Sequence, residues 1–231
     1  MKAAVLATAA LLAPVSAGAQ ALRCAVPSGI DRPRPDRASP DQPRRVLPVA
    51  GYKLALTWSP QYCRSREGGF QCGEGNRFGF TLHGLWPDGP GREWPEYCAP
   101  AALLPDSVVR ANICATPSAQ LLQHEWAKHG TCMRGYGPVS YFARATGLYG
   151  KLRYPDMDAL SRRRLKAGRL AAEMVRLNPG LAAEAIAVTT TRDGWLDEIW
   201  LCLDRRFRYV RCRPGTGVTP GSDIRIWRGR R

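Results

Sequence analysis

The chain contains three histidines, His83, His124 and His129, and all of them fall within two short segments, FTLHGLWPD (80–88) and HEWAKHGTC (124–132). Histidine has an unperturbed pKa of about 6.5, so it can accept and donate a proton near neutrality. Two such groups brought together can run an acid step and a base step in one reaction. Glu125 and Lys128 stand in the same segment as His124 and His129. On a helix, Glu125 would lie four residues from His129 and three from Lys128, and His124 would lie one turn from Lys128. A carboxylate, an ammonium and an imidazole then share one face. Set opposite a further histidine on a strand, that face can hold a phosphodiester and pass protons on both of its sides. No protein nucleophile is required.

Among phosphodiesters, RNA brings its own nucleophile. A base can activate the 2′-hydroxyl to attack the adjacent phosphorus while an acid protonates the departing 5′-oxygen, and DNA lacks that hydroxyl. Charge gathers on the non-bridging oxygens, where Lys128 and His124 are placed to act, with Glu125 orienting its neighbours. Each residue also has a plainer reading. A single histidine is often a satisfied polar residue, and a Glu–Lys pair three apart is usually a solvated helix face. HEWAKH also resembles the zinc motif H-E-x-x-H, but its histidines are five apart and point to different sides of a helix. No metal and no cofactor is expected.

These residues need elements to carry them. YKLALTW (52–58) reads as a strand, 59–76 as a loop, and RFGFTLHGL (77–85) as a second strand that delivers the first motif. From Ala101 the pattern becomes helical, with VVRANI near 108–113 and then SAQLLQHEWAKHG, where Ser118 is the N-cap and Gly130 the stop, so the second motif sits on a helix. Further helices are expected at 138–151 and 161–177, the latter ending before Asn178-Pro179-Gly180. Strands are expected near AIAVTTT (185–191), LDEIWLCLD (196–204), RFRYVRC (206–212) and DIRIW (223–227). The pattern predicts an α+β fold, a central antiparallel sheet with helices packed on one side. No internal repeat or sustained heptad is visible.

The N-terminus, MKAAVLATAALLAPVSAGAQA, has the layout of a secretory signal peptide, with the small-residue site Ala17-Gly18-Ala19. The expected organisation is a signal peptide at 1–19, an arm at 20–50 and one catalytic domain at 51–231. The apolar run is shorter than the roughly 20 residues of a membrane span. Residues 27–48 are crowded with Pro, Arg and Asp and read as irregular, with no chemistry of their own. All eight cysteines follow the cleavage site. An even count in an exported chain implies disulfides and an oxidising compartment, periplasm or medium. The formal charge of +15 suits a polyanionic partner and equally suits solubility.

Together, FTLHGLWPD and HEWAKHGTC resemble the two active-site segments of the ribonuclease T2 family, the acid or S-like ribonucleases, and the order of elements after Tyr52 is similar as well. The resemblance implies His83 as general acid, His129 as general base, His124 as a phosphate-binding residue, and Glu125 with Lys128 as stabilisers of the transition state. It implies a single-stranded RNA substrate, a 2′,3′-cyclic phosphate later hydrolysed to a 3′-phosphate, little base preference and no metal. Trp86 and Asp88 fall where family members hold a base, and Trp94 offers a second stacking surface; Trp86 is equally readable as core packing. The family's pairs correspond to Cys98–Cys132, Cys202–Cys212 and, as in bacterial members, Cys63–Cys72. Cys24 and Cys114 remain, and pairing them would tie the arm to the start of the active-site helix. Cys132 follows His129 closely, but an oxidised partner is no nucleophile. AIAVTTT lacks a cysteine that many members carry, and the arm has no recognised counterpart. A monomer is expected. The rival reading is a secreted RNA- or polyanion-binding protein that keeps this scaffold without catalysis.

Overall fold

Alternating apolar residues in GYKLALTW, FTLHGLWPD and LDEIWLCLD build the centre of the molecule. In the computed structural model, which describes residues 20–229, they form the strands β2 (Gly51–Trp58), β4 (Phe80–Asp88) and β7 (Leu196–Asp204). With β6 (Ile186–Thr190) they make a four-stranded antiparallel sheet in the order β4-β2-β7-β6. Two small pairs flank it, β1 (Ala21–Arg23) with β3 (Arg77–Phe78) and β5 (Leu165–Lys166) with β8 (Asp223–Ile224). The expected leader, 1–19, lies outside the described residues.

Helices α1 (Ser59–Tyr62), α2 (Gly69–Cys72) and α6 (Met157–Leu160) are single turns, and α3 (Asp106–Asn112), α4 (Ala119–Lys128), α5 (Pro138–Gly150) and α7 (Ala167–Leu177) are longer. One face of the sheet presents Leu54, Leu56, Phe80, Leu82, Leu85, Ile199 and Leu201 to a core shared with Val109 of α3, Leu122 of α4, Tyr141 and Tyr149 of α5, and Met174 of α7. The expected α+β architecture is the one observed. β4 is an edge strand, and its free edge is covered. Leu82 N donates to Ala115 O at 2.9 Å, and Thr116 Oγ1 donates to Leu82 O at 2.7 Å. This satisfies the backbone of the strand that carries the first motif.

The four disulfides are Cys24–Cys114, Cys63–Cys72, Cys98–Cys132 and Cys202–Cys212, as expected, and no free cysteine remains among the described residues. Three element expectations are corrected. RFRYVRC forms no strand, because β7 is already flanked by β2 and β6 along most of its length. Only a single bridge, Leu203 to Tyr209, is left, and Cys212 N turns away to Glu184 O. Helix α7 begins at Ala167 rather than 161, since Leu165 and Lys166 pair with β8 instead, and DIRIW is a strand only at Asp223–Ile224. The stretch 59–76 is a loop broken by two single-turn helices. No helix of the described residues is long and apolar enough to cross a membrane.

Leu201 is fully buried and pairs with Leu54 in mid-sheet. Leu201→Ala is therefore expected to cost about 2–5 kcal/mol, read as a lower urea midpoint at unchanged m-value. A cost below about 1 kcal/mol would contradict this core.

Candidate active site

The first motif delivers its histidine through an irregularity. Along the β2–β4 ladder Ala55 faces Gly84 and Leu56 faces Leu82, so His83 is the extra residue of a bulge with no partner of its own. Bulges re-aim a side chain and recur beside active sites. The face of the sheet opposite the core carries His83 and Trp86 of β4, Thr57 of β2, and Glu198 and Trp200 of β7. There His83 Nδ1 donates to Glu198 Oε1 at 2.6 Å. Glu198 is 8% exposed and also accepts from Thr57 Oγ1 at 2.8 Å and Trp200 Nε1 at 2.6 Å.

The second motif arrives on α4, which starts as expected, with the Ser118 hydroxyl accepting from Leu121 N. The helix stops at His129, its C-cap. Glu125, only 1% exposed, projects towards β4, where its Oε2 accepts from Trp86 Nε1 at 2.8 Å and its Oε1 lies 3.6 Å from His83 Nε2. This approach needs Gly84, because a Cβ there would fall 1.8 Å from Glu125 Oε2. The Trp86 ring stacks on His129 (centroids 5.5 Å apart, 30° between planes) and meets His83 edge-on at 4.9 Å. The structure thus brings His83, Trp86, Glu125 and His129 into one cluster. His124 borders it, with its ring 6.4 Å from that of His129.

Two histidines in one cluster have opposite electrostatic surroundings. Burial works to lower the His83 pKa, but the Glu198 hydrogen bond and the charges of Glu125, Glu198 and Asp197 outweigh it and raise the value above the ordinary 6.5. Burial also lowers His129, and here Lys128, His124 and His83 push the same way, so it falls well below 6.5. Glu125 is raised by burial against the pull of His83, His124, Trp86 and Lys128. Burial would raise Glu198 too, but His83, Trp200 and Thr57 together bring it below the usual range. His129 Nδ1 and Glu125 Oε1 are buried without hydrogen-bond partners in the protein, as are Gln61 Oε1 and Tyr154 Oη away from the cluster.

The remaining expected site residues are more dispersed. Lys128 Nζ lies 3.7 Å from Glu96 Oε2 and donates to Gln42 Oε1 at 3.1 Å. Asp88 ends β4 with its Oδ2 held by Lys53 Nζ at 2.7 Å. Trp94 is 43% exposed, with the Arg45 guanidinium 5.5 Å from its ring centroid, and its Nε1 donates to Glu96 Oε2 at 3.3 Å, the oxygen that faces Lys128. Two partners were not found by sequence reasoning, Glu198 on His83 and Asp36 on His124 Nδ1 at 3.0 Å. Glu198 had one signal, a carboxylate in the interior of a largely apolar strand, which is costly unless paired. Asp36 had none, being one acidic residue in a run of Pro, Arg and Asp. The arm, read as remote from the chemistry, touches both His124 and Lys128. A cleft of about 760 Å³ among Arg162, Arg164, Trp195 and Trp227 includes none of these residues.

Gly84→Ala is expected to push Glu125 off Trp86, shifting the Trp86 indole N–H resonance and costing about 1–3 kcal/mol of stability by overpacking. An unmoved indole resonance would contradict the close approach.

Residues 50–212 match the model of the Ribonuclease T2 family. Over 181 residues the chain is 29% identical to a probable ribonuclease of Haemophilus influenzae, covering 72% of this chain and 62% of that one. Over 82 residues it is 40% identical to a ribonuclease of Aeromonas hydrophila, covering 35% and 36%. The chain therefore spans less than two thirds of the length of either relative. In fold it is similar to trichomaglin, described as an S-like ribonuclease, with TM-score 0.62, 20% identity, and coverage of 77% of this chain and 97% of that one. It is also similar to RNase NT in complex with 5′-AMP, with TM-score 0.58, 21% identity, and coverage of 78% and 98%. With both histidine segments inside the matched residues, this chain belongs to the ribonuclease T2 family.

Proposed function

We propose that the protein is an exported endoribonuclease that cleaves single-stranded RNA without a metal. The observation that carries this reading is the placement of two imidazoles against one indole, His83 edge-on at 4.9 Å with Glu198 on its Nδ1 and His129 stacked at 5.5 Å with no partner on its own; these surroundings favour the protonated form of His83 and the neutral form of His129. That is the resting state an acid–base pair needs. His129 takes the proton of the 2′-hydroxyl, the 2′-oxygen bonds to phosphorus, and the bond to the 5′-oxygen breaks as His83 supplies its proton. The products are a 5′-hydroxyl strand and a 2′,3′-cyclic phosphate. In the second step the roles reverse. His83 accepts a proton from water, the water oxygen bonds to phosphorus as the bond from phosphorus to the 2′-oxygen breaks, and His129 returns its proton to that 2′-oxygen, leaving a 3′-phosphate.

His124 binds the phosphate, Lys128 stabilises the charge that develops on the non-bridging oxygens, and Glu125 holds Trp86 and the His83 face in register. Trp86, Asp88 and Trp94 remain the candidates for contact with a base. Trp86 combines that role with holding Glu125, and Asp88 already has Lys53 on Oδ2 at 2.7 Å and Arg213 3.8 Å from Oδ1, so a base would have to share its oxygens with those cations. Contact with a base by stacking on an aromatic ring tolerates any base and hence favours low base specificity. Four disulfides in a chain of this kind fit the periplasm or the medium. We take the protein to act as a monomer.

In excess EDTA, the protein is expected to cleave an RNA oligonucleotide to the cyclic phosphate product and to leave the DNA oligonucleotide of the same sequence intact. His129→Ala should lower kcat/KM by about 10²–10⁴-fold. No cleavage by oxidised protein at any pH between about 4 and 8 would remove the enzyme reading and favour the binding scaffold; activity abolished by EDTA would overturn the metal-independent mechanism.

The pH profile follows from the same contrast. A base works above its pKa and an acid below its own, so the acid limb should lie well below 6.5 and the alkaline limb above it, with activity retained at 6.5. Glu198→Gln removes the charge that holds the His83 proton and should move the alkaline limb to lower pH. A profile whose alkaline limb ignores that substitution would take His83 out of the acid role.

A further inference from the structure

Two of the three histidines have a carboxylate on Nδ1, and neither carboxylate comes from the histidine motifs. Glu198 serves His83 from β7. Asp36 serves His124 from the arm, with Oδ2 3.0 Å from His124 Nδ1 and Oδ1 accepting from the Tyr97 hydroxyl at 2.8 Å. Six residues further along the arm, Gln42 Oε1 lies 3.2 Å from the same hydroxyl and accepts from Lys128 Nζ at 3.1 Å. The two α4 side chains proposed to bind the scissile phosphate are therefore both held by the arm, with Tyr97 between the two contacts.

The arm is fixed on either side of these contacts. Before Asp36, Cys24 is bonded to Cys114, and Arg110 of α3 donates to the carbonyls of Pro27 and Ser28 at 2.9 and 2.6 Å. Arg34 and Gln120 of α4 then exchange two hydrogen bonds, at 2.9 and 3.3 Å. After Gln42, Arg44 donates to Cys98 O at 3.2 Å, and Arg45 and Glu96 exchange backbone hydrogen bonds at 2.8 and 2.9 Å. Tyr97 itself adopts the left-handed backbone region (φ 49°), uncommon for a bulky residue, with its N–H on Lys128 O at 2.8 Å. A segment held this way is built into the site and is not a strap waiting to leave it.

We propose that the arm completes the phosphate-binding half of the site, with Asp36 as a positioning residue for His124 and Gln42 as one for Lys128. This rests on the ribonuclease reading above. With Nδ1–H committed to Asp36, the imidazole of His124 is held against rotation and Nε2 is the nitrogen left for the substrate. Nε2 can donate to a phosphate oxygen only when the ring carries both protons, and that form has Asp36 as its counter-ion. Gln42 occupies one of the three Lys128 donors without adding a charge, so it steers the ammonium, whose counter-charge is Glu96, 3.7 Å away. Asp36 thus stands to His124 as Glu198 stands to His83. His129, proposed as the base, has no carboxylate on its Nδ1.

The test is a double-mutant cycle with two readouts, KM and kcat on a cleavable RNA oligonucleotide and Kd for its uncleavable all-2′-deoxy analogue. Asp36→Ala should raise KM and Kd about tenfold with kcat changed far less. In a His124→Ala background the same substitution should change both by less than about twofold. Asp36→Asn, which keeps an acceptor for Nδ1–H, should lie between wild type and Asp36→Ala, and it carries the cycle if the alanine variant fails to fold. Tighter binding or faster cleavage by Asp36→Ala would mean that the arm blocks the site. Losses that add fully to those of His124→Ala would mean a merely structural contact. Either outcome overturns the proposal. If wild type does not cleave but the Kd cycle shows the coupling, the ribonuclease reading fails and the positioning role stands.

Discussion

Glu125 is the group through which the strand and the helix of the site meet. Moving a carboxylate out of water costs several kcal/mol after relaxation, and the cost is tolerable only when charge and hydrogen bonds surround it. The Trp86 indole and the cations of His83, His124 and Lys128 act in that sense, and burial still leaves its pKa raised. A residue so dependent on its neighbours fixes their places. Position 84 must lack a Cβ, Trp86 must turn its N–H towards α4, and the bulge in β4 must fall at His83. A helix displaced by one residue along its axis would bring Trp126 or His124 to the strand and leave the Trp86 donor without its carboxylate.

The helix is held against such displacement at both ends. Cys114, shortly before its N-cap, is bonded to the arm, and Cys132, just after its C-cap, is bonded to Cys98. Each bond closes a long loop of chain and so removes conformations from the unfolded ensemble. In the folded state they also deliver two non-motif segments to the site, the arm with Asp36 and Gln42, and 94–98 with Glu96 and Tyr97. The disulfides thus connect stability to the arrangement of charge around Lys128 and His124.

The sequence made the site's centre readable because the chemistry is local in sequence. His124, Glu125, Lys128 and His129 share barely more than one turn of helix, and a cap at Ser118 with alternation in FTLHGLWPD is enough to place them on a helix and a strand. The sheet strands were legible for the same reason, since alternation is written into each segment. What escaped depends on pairing between distant segments. Whether RFRYVRC can extend a sheet depends on what already occupies the edge of β7, and the start of α7 depends on β8 claiming Leu165 and Lys166. Glu198 lies 115 residues from His83, and Asp36 lies 88 from His124. No periodicity connects residues so far apart, and the composition of 27–48, correctly read as irregular, carries no information about what that irregular chain lies against.

Three copies of one side chain thus have three different surroundings, although the motifs alone present them as equivalent imidazoles. Burial is common to His83 and His129 and lowers both. The difference lies in the counter-charge, because Glu198, Glu125 and Asp197 reverse the effect at His83, whereas Lys128, His124 and His83 deepen it at His129. His83 is therefore both a cation-favouring site and part of the field that keeps His129 neutral, so the two tunings are linked. Any loss of charge at His83 relaxes the pressure on His129, and the pair titrates as a coupled system. The acid–base division of labour proposed here accordingly resides in residues outside both motifs as much as in the histidines themselves, since the carboxylate that sets the sign at His83 is carried by β7, reached across β2.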